Sequence, residues 1–179
     1  RDMRNMFRSC SLFDGNITTW DTRNITDMSF MFSDASNFNQ NIDSWFGNSE
    51  VTDKDGNPLI VYHFTNREFD NFDLNKARTS GFSNLGFWFG SDADKSKEYG
   101  RIKKSCYLKI ENGYYVNDWE EFLRHIETYS KTFGNEANEF REYLQSKGYD
   151  GVIINSADID GVGEQTIYVV FNNNQIKCI

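Results

Sequence analysis

A 25-residue recurrence in the first quarter of the chain restricts what it can fold into more than any other feature. Phe7 recurs as Phe32, Phe13 as Phe38, Asn16-Ile17 as Asn41-Ile42 and Trp20 as Trp45, while Met3-x-x-Met6-Phe7 returns as Met28-x-x-Met31-Phe32. A fixed period of this length marks stacked coils, each burying its apolar face only against its neighbours. Fewer than two full units are present, where roughly three are usually needed for stability. The segment is therefore expected to be the end of a longer array, or coils that pack on the domain after them.

The recurrence stops near Trp45, and 179 residues leave room for one ordinary domain beyond it. Aromatic residues make up 16% of the chain, enough for a substantial core although mean hydropathy is −0.68. No run approaches the ~20 consecutive apolar residues of a membrane helix. No secretory signal is visible, and a start at Arg1-Asp2-Met3 is expected of a fragment. With a net charge of −8, neither part has the basic excess of a duplex-DNA binder. The local cluster Lys95, Lys97, Arg101, Lys103 and Lys104 is interleaved with Asp92, Asp94 and Glu98, and reads as a solvated helix face. Cys10, Cys106 and Cys178 are odd in number and far apart, without metal-ligand spacing. They are expected as buried small apolar residues, neither a disulfide framework nor a zinc site.

Residues 1–48 thus form the repeat segment, 49–57 a connector and 58–179 a second domain. The connector run Thr52-Asp53-Lys54-Asp55-Gly56-Asn57-Pro58 has strong turn chemistry. Asp53-x-Asp55-x-Asn57 mimics a calcium loop, but its glycine is at the fourth position and Phe64 stands where a bidentate Glu belongs, so no metal is expected. From Pro58 onward the pattern is α+β. Strands are expected at 59–64, 85–90, 105–111, 151–155 and 166–171, with another at 175–177. Helices are expected at 66–72, from the Ser91-Asp92 cap to Tyr99, at 118–129 and at 136–147, the last ended by Gly148.

His125 lies among charged residues on a helix and reads as structural. His63 instead ends an apolar strand, Leu59-Ile60-Val61-Tyr62-His63-Phe64, and its neighbours give it meaning. Tyr62-His63-Phe64-Thr65, then Gly86-Phe87-Trp88-Phe89, then Ser96-Lys97-Glu98-Tyr99 resemble, in order and spacing, the motifs of ADP-ribosyltransferases of the histidine-tyrosine-glutamate class. That class includes diphtheria toxin and the poly(ADP-ribose) polymerases. Tyr149-Asp150-Gly151-Val152-Ile153, with Tyr168-Val169-Val170-Phe171 and Gln175-Ile176-Lys177, look like the end of the polyvalent-protein branch of phages and mobile elements. In the first part, Ile25-Thr26-Asp27-Met28 and Phe38-Asn39-Gln40-Asn41-Ile42-Asp43-Ser44-Trp45 resemble BspA-type leucine-rich repeats.

The resemblance implies an ADP-ribosyltransferase-like split β-sheet core with flanking helices, behind a short leucine-rich-repeat solenoid fragment. It implies NAD as substrate. His63 would hold a ribose hydroxyl, and the backbone of Phe64 with the Ser96 hydroxyl would hold the nicotinamide carboxamide beside Thr65 and Phe89. Trp88 and Tyr99 would stack on the ring, whose cationic form is drawn to aromatic faces, and Arg78 would reach the pyrophosphate. Three positions depart from the family pattern. Phe64 replaces a glycine, Trp88 replaces a tyrosine, and Ile167 stands where the catalytic glutamate belongs. Glu164, on the opposite face of an extended strand from Ile167, and Gln165, on the same face, are the nearby alternatives. The acidic loop 155–166 would meet the acceptor.

The expected activity is mono-ADP-ribosylation of a protein, or less readily a nucleic acid, with His63, Tyr99 and Glu164 as catalytic residues. The chain would be a bacterial or phage effector or toxin, acting in an NAD-containing cytoplasm or displayed at a cell surface through repeats that bind protein. An NAD glycohydrolase and a non-catalytic binding module are the competing readings. A metal-free nuclease resting on His63 and the basic cluster is the weakest.

Overall fold

The computed structural model describes residues 2–13, 27, 29–35, 45–69, 71–76, 81–132, 134–159, 161 and 163–179. The chain forms two units, Arg1–Trp45 and Phe46–Ile179.

In the first unit the sequence period becomes a backbone period. The N–H groups of Met3, Asn5, Phe7 and Ser9 donate to the carbonyls of Asp27, Ser29, Met31 and Ser33, at distances of 2.7–3.1 Å. Every alternate residue of one segment therefore pairs with its neighbour one repeat on. The left-handed backbone recurs too: Asn5 and Phe30 both have φ of 57°, and Ser9 and Asp34 have 59° and 60°. Phe7 stacks on Phe32 with ring centroids 5.6 Å apart. The recurrences at Asn16-Ile17, Trp20, Phe38 and Asn41-Ile42 lie outside the described residues.

In the second unit seven strands make one mixed sheet in the order β4-β5-β6-β2-β1-β3-β7. These are β1 (Val61–Thr65), β2 (Phe87–Gly90), β3 (Ile102–Leu108), β4 (Gly113–Asp118), β5 (Gly151–Ala157), β6 (Gln165–Val170) and β7 (Ile176–Cys178). Three helices are described, α1 (Ala93–Ser96), α2 (Trp119–Tyr129) and α3 (Glu136–Ser146). Neighbouring strands are antiparallel except β4 and β5, which are parallel and joined through α2 and α3. A parallel pair requires such a crossover.

The helices begin and end where their sequences direct. The Asp118 carboxylate accepts from the Glu121 N–H at 2.7 Å and caps α2. After α3, Gly148 takes φ of 89°, its N–H donates to the Gln145 carbonyl, and that of Tyr149 donates to the Leu144 carbonyl. This is the paired closure of a Schellman motif. Phe122 and Ile126 of α2 pack with Ala137, Phe140 and Leu144 of α3 on one face of the sheet, against Val152, Ile154, Ile167 and Val169. Fully burying side chains of this kind stabilises by about 1.5–3 kcal/mol each.

The structure corrects several expectations. Residues 66–69 and 71–72 are not helical, because Phe69 and Phe72 turn onto the His63 ring instead of following one helix face. Strand β4 went unread. The segment expected as a connector is stitched to the second unit: Val51 is fully buried, and the Ser49 hydroxyl donates to the Leu108 carbonyl. Asp53 is occupied by the N–H groups of Asp55 and Asn57, which makes that run a turn. Cys106 and Cys178 lie opposite each other across β3 and β7 and form a disulfide, while Cys10 is an exposed free thiol. Neither outcome is the buried apolar role expected of them. Register, not sequence spacing, brings the pair together.

Candidate functional site

The weak point of the sheet lies between β1 and β2. β1 pairs with β3 at five positions but with β2 only at Tyr62↔Gly90. Beyond that pair the strands part, and the His63 imidazole fills the opening. Its Nδ1 lies 2.9 Å from the Trp88 carbonyl oxygen. A carbonyl only accepts, so Nδ1 carries the hydrogen and the neutral ring presents a lone pair at Nε2. Phe69, Phe72 and Phe89 surround the ring at centroid distances of 6.0, 5.2 and 5.5 Å. Burial holds the imidazole below its ordinary pKa; the Trp88 carbonyl opposes this, and the Lys104 ammonium adds to it.

Strand alternation decides which predicted residues meet. Gly90 opposes Ile167 and Trp88 opposes Val169, so these residues, together with Gln165, share the face covered by α2 and α3. Trp88 donates its indole N–H to the Phe82 carbonyl at 3.2 Å and packs edge-on against Trp119 and Phe122. Phe89 points to the opposite face, where it is buried against His63 and Phe72. The His63 ring and the Trp88 ring are therefore on opposite faces, joined through the Trp88 carbonyl.

Ser96 and Tyr99 are carried by α1 and the 3-10 turn Lys97–Tyr99 that follows it. Asp92 caps α1 by accepting from the N–H groups of Asp94 and Lys95, and these bonds hold its carboxyl below the usual range. Gly100 lies so close to Thr65 that a Cβ there would come within 2.5 Å of the Thr65 backbone. The turn is thus seated on the end of β1. The Thr65 hydroxyl accepts from the Arg67 N–H at 3.2 Å. Tyr99 donates its hydroxyl to the Ile159 carbonyl at 2.9 Å and is 39% exposed.

The carboxylate candidates lie apart. Ile167 is buried between Gly90 and Ile154 in the apolar core. Glu164 is exposed, and the Lys95 ammonium reaches its backbone carbonyl. Gln165 is buried, and its Oε1 accepts from the Asp92 N–H at 3.1 Å and the Ser96 hydroxyl at 3.2 Å. Arg78 lies outside the described residues. Phe69, Phe72 and Lys104 around His63 were missed in the sequence, where only the bulk of three aromatic residues near one histidine hinted at them. The Lys104 ammonium sits 4.5 Å above the Phe69 ring and donates to the Phe69 carbonyl. A cavity of about 750 Å³ adjoins this cage on the Phe89 face, with Phe69, Phe72, Phe87 and Phe171 among its walls.

The chain belongs to a family of ADP-ribosyltransferases. The matching family is described as ADP-ribosyltransferase in polyvalent proteins, and its model covers residues 53–179. Residues 1–97 match a second family, described as a Mycoplasma protein of unknown function, DUF285. No curated protein is detectably similar to the chain. Among solved structures, the crystal structure of an anti-CRISPR protein aligns over 68% of this chain and 95% of that one, with 15% identity and a TM-score of 0.38. So distant a likeness carries no argument here. The family's chemistry uses NAD as substrate. Among the described residues no helix is long and apolar enough to cross a membrane.

Proposed function

We propose that the chain is a mono-ADP-ribosyltransferase of the histidine-tyrosine-glutamate class, which breaks the nicotinamide–ribose bond of NAD and passes ADP-ribose to a macromolecular acceptor. The observation that carries this reading is His63 in the β1–β2 opening, with its Nδ1 hydrogen committed to the Trp88 carbonyl. Nε2 is then an acceptor for a ribose hydroxyl. The Phe64 backbone and Ser96 hold the carboxamide and Tyr99 stacks on the ring, while Trp88, whose own ring lies on the face opposite the His63 ring, serves the site through its backbone carbonyl. Nicotinamide leaves with the electrons of the glycosidic bond, and positive charge develops on the ribose. Fixed dipoles or a carboxylate must stabilise that charge. With Ile167 at the glutamate position, the acceptor's own carboxylate is the group proposed to do so. The acidic loop before β6 meets that acceptor, a protein, and the repeat segment, BspA-like in pattern, presents the enzyme to it. The setting proposed is a bacterial or phage effector.

A second reading, a non-catalytic NAD-binding module, is favoured by the burial of Ile167 in the apolar core. Calorimetric titration with NAD, run beside a nicotinamide-release assay on a lysate of acceptors, separates the two. The enzyme releases nicotinamide and leaves ADP-ribose adducts visible by mass spectrometry; the module binds without release. Release with no adduct identifies an NAD glycohydrolase. Unchanged labelling by a His63→Ala, Tyr99→Ala double variant refutes the site.

A further inference from the structure

The sheet face that α2 and α3 cover continues beyond them onto β1, β3 and β7. Tyr62 opposes Gly90, so strand alternation sets Tyr62, Phe64, Lys103, Ser105 and Tyr107 on that face, with Lys177 opposite Tyr107. No residue of these three strands is among those packed beneath the helices. Tyr62, Phe64 and Tyr107 are half-buried there. On the opposite face Phe69, Phe72, Phe87 and Phe89 pack against one another and His63. Among the described residues, Tyr62, Phe64 and Tyr107 touch no other aromatic ring, and the two tyrosine hydroxyls bond no protein group.

Charge is sorted to the same strands. The chain carries a net −8, yet β1, β3 and β7 hold Lys103, Lys104 and Lys177 and no Asp or Glu. Lys104 turns to Phe69 on the opposite face. Lys103 is exposed on the open face, with its ammonium 5.7 Å over the Tyr62 ring. At the Thr65 end of β1, a cavity of about 600 Å³ is lined by Lys97, Arg101 and Glu98 with Asn66, Gly100 and Ile102. Lys97 already pairs with Asp94, while Arg101 is exposed.

We propose that this face is a platform for single-stranded nucleic acid, with bases stacked on Tyr62, Phe64 and Tyr107 and phosphates drawn to Lys103 and Arg101, Lys177 adding to the positive field. Every nucleobase has a flat face to stack and every linkage carries an anion, and a sheet bearing rings and cations accepts both. An acidic peptide supplies anions, but the face of an aromatic ring is itself negative and repels a carboxylate. A duplex keeps its bases stacked on one another and leaves none for the rings. Binding here does not require NAD.

The test is fluorescence anisotropy of the whole chain with a labelled oligothymidylate of about 12 nucleotides, within the span of known single-strand sites. Oligouridylate is titrated beside it, and binding of either strand supports the platform. Affinity is expected to fall with salt, log K against log salt having a slope of about −1.4 to −2.1 for two or three phosphate contacts. Tyr107→Ala should weaken binding about 5- to 150-fold, whereas Tyr107→Phe keeps the ring and should bind like wild type. Lys103→Gln should make the slope shallower by about 0.7. Lys103 is exposed, so this variant reports even if Tyr107→Ala does not fold. No binding of either strand at about 100 μM protein and about 50 mM salt overturns the proposal. Equal affinity for the duplex with oligoadenylate, or for polyglutamate, also overturns it. So does wild-type affinity and salt slope in a Tyr107→Ala, Lys103→Gln double variant.

Discussion

Gly90→Ala is the substitution whose cost the geometry specifies most closely. The backbone at residue 90 needs no glycine for its own conformation, since Gly90 is absent from the positive-φ positions. What opposes alanine is contact, at 2.1 Å to Ser96 Oγ and 2.4 Å to Gln165 Oε1. Both atoms end rotatable side chains, so the clash is relieved by turning them away. Relief breaks the Ser96–Gln165 and Asp92–Gln165 bonds where water cannot replace them. Leaving a buried polar partner unmade costs about 1–3 kcal/mol. The lower entropy of an unfolded alanine offsets about 0.4–1 kcal/mol. With two such bonds lost, the net expectation is a destabilisation of about 1–5 kcal/mol, read as a lower midpoint in urea with unchanged slope. Ser96→Ala in the Gly90→Ala background should recover part of it, because the nearest atom is gone. Gly86→Ala is the control: its Cβ would lie 2.4 Å from the Val170 carbonyl oxygen, which is backbone and does not rotate away. It should cost more. A Gly90→Ala protein within about 0.5 kcal/mol of wild type would refute the close approach of α1 to β6.

Acid should destabilise the protein through His63. Burial holds its folded pKa below the ordinary 6.5, so below that pH the unfolded chain takes up the proton more readily. The His63 contribution is complete above about pH 6.5 and is lost as pH falls toward 5; His63→Gln should flatten urea midpoints between pH 7 and 5, and a slope unchanged in that variant counts against a buried neutral imidazole. Thiol titration of the unfolded protein should find one free thiol without reductant, Cys10, and three after reduction, since Cys106 and Cys178 are bonded across a separation of 72 residues. Cys178→Ser should then lower stability by about 2–4 kcal/mol, and three free thiols before reduction would contradict the bridge. Tyr99→Phe removes the hydroxyl bound to Ile159 but keeps the ring. It should cost no more than about 1 kcal/mol and preserve NAD affinity in calorimetry, whereas Tyr99→Ala should lose that affinity; equal losses would mean that the hydroxyl, not stacking, is what matters.

What could be read from the sequence was whatever repeats, alternates or caps locally. The 25-residue period returned as paired backbone and matching left-handed residues at Asn5 and Phe30. The strand expected at 59–64 formed as Val61–Thr65, with His63 at its middle and not at its end, and the Asp92 cap formed where expected. Strand β4 was hidden because Gly113–Asp118 has one aliphatic residue, Val116, and ends in Asn117-Asp118, which reads as a helix cap; its parallel pairing with β5 supplies what local pattern does not. The helical spacing of Phe69 and Phe72 misled because tertiary contact with His63 outweighs propensity. Motif order gave His63 and Trp88 as neighbours in a pocket. It did not reveal that their rings take opposite faces, because that depends on where β1 and β2 separate.

Restoring a glutamate at position 167 separates motif from structure most sharply. By motif alone Ile167→Glu completes the site and should accelerate nicotinamide release. By structure Ile167 is 5% exposed, opposite Ile154 and Gly90, among apolar side chains of the main core. An ionised carboxylate there loses several kcal/mol of hydration with no cation facing it among the core residues. The new glutamate is expected to remain protonated at neutral pH, and the protein to lose about 2–5 kcal/mol. Stability should fall further as pH rises through 8, since ionisation then favours the unfolded chain. Gln165→Glu, two residues earlier, finds the Asp92 N–H and the Ser96 hydroxyl already aimed at its oxygen, and it should fold normally with its carboxylate ionised. Urea midpoints at pH 6 and 8, beside nicotinamide release, decide the matter. An Ile167→Glu protein of native stability at pH 8 with faster release would show that the core opens to water at β6 when NAD binds, and the acceptor would then have no carboxylate to supply.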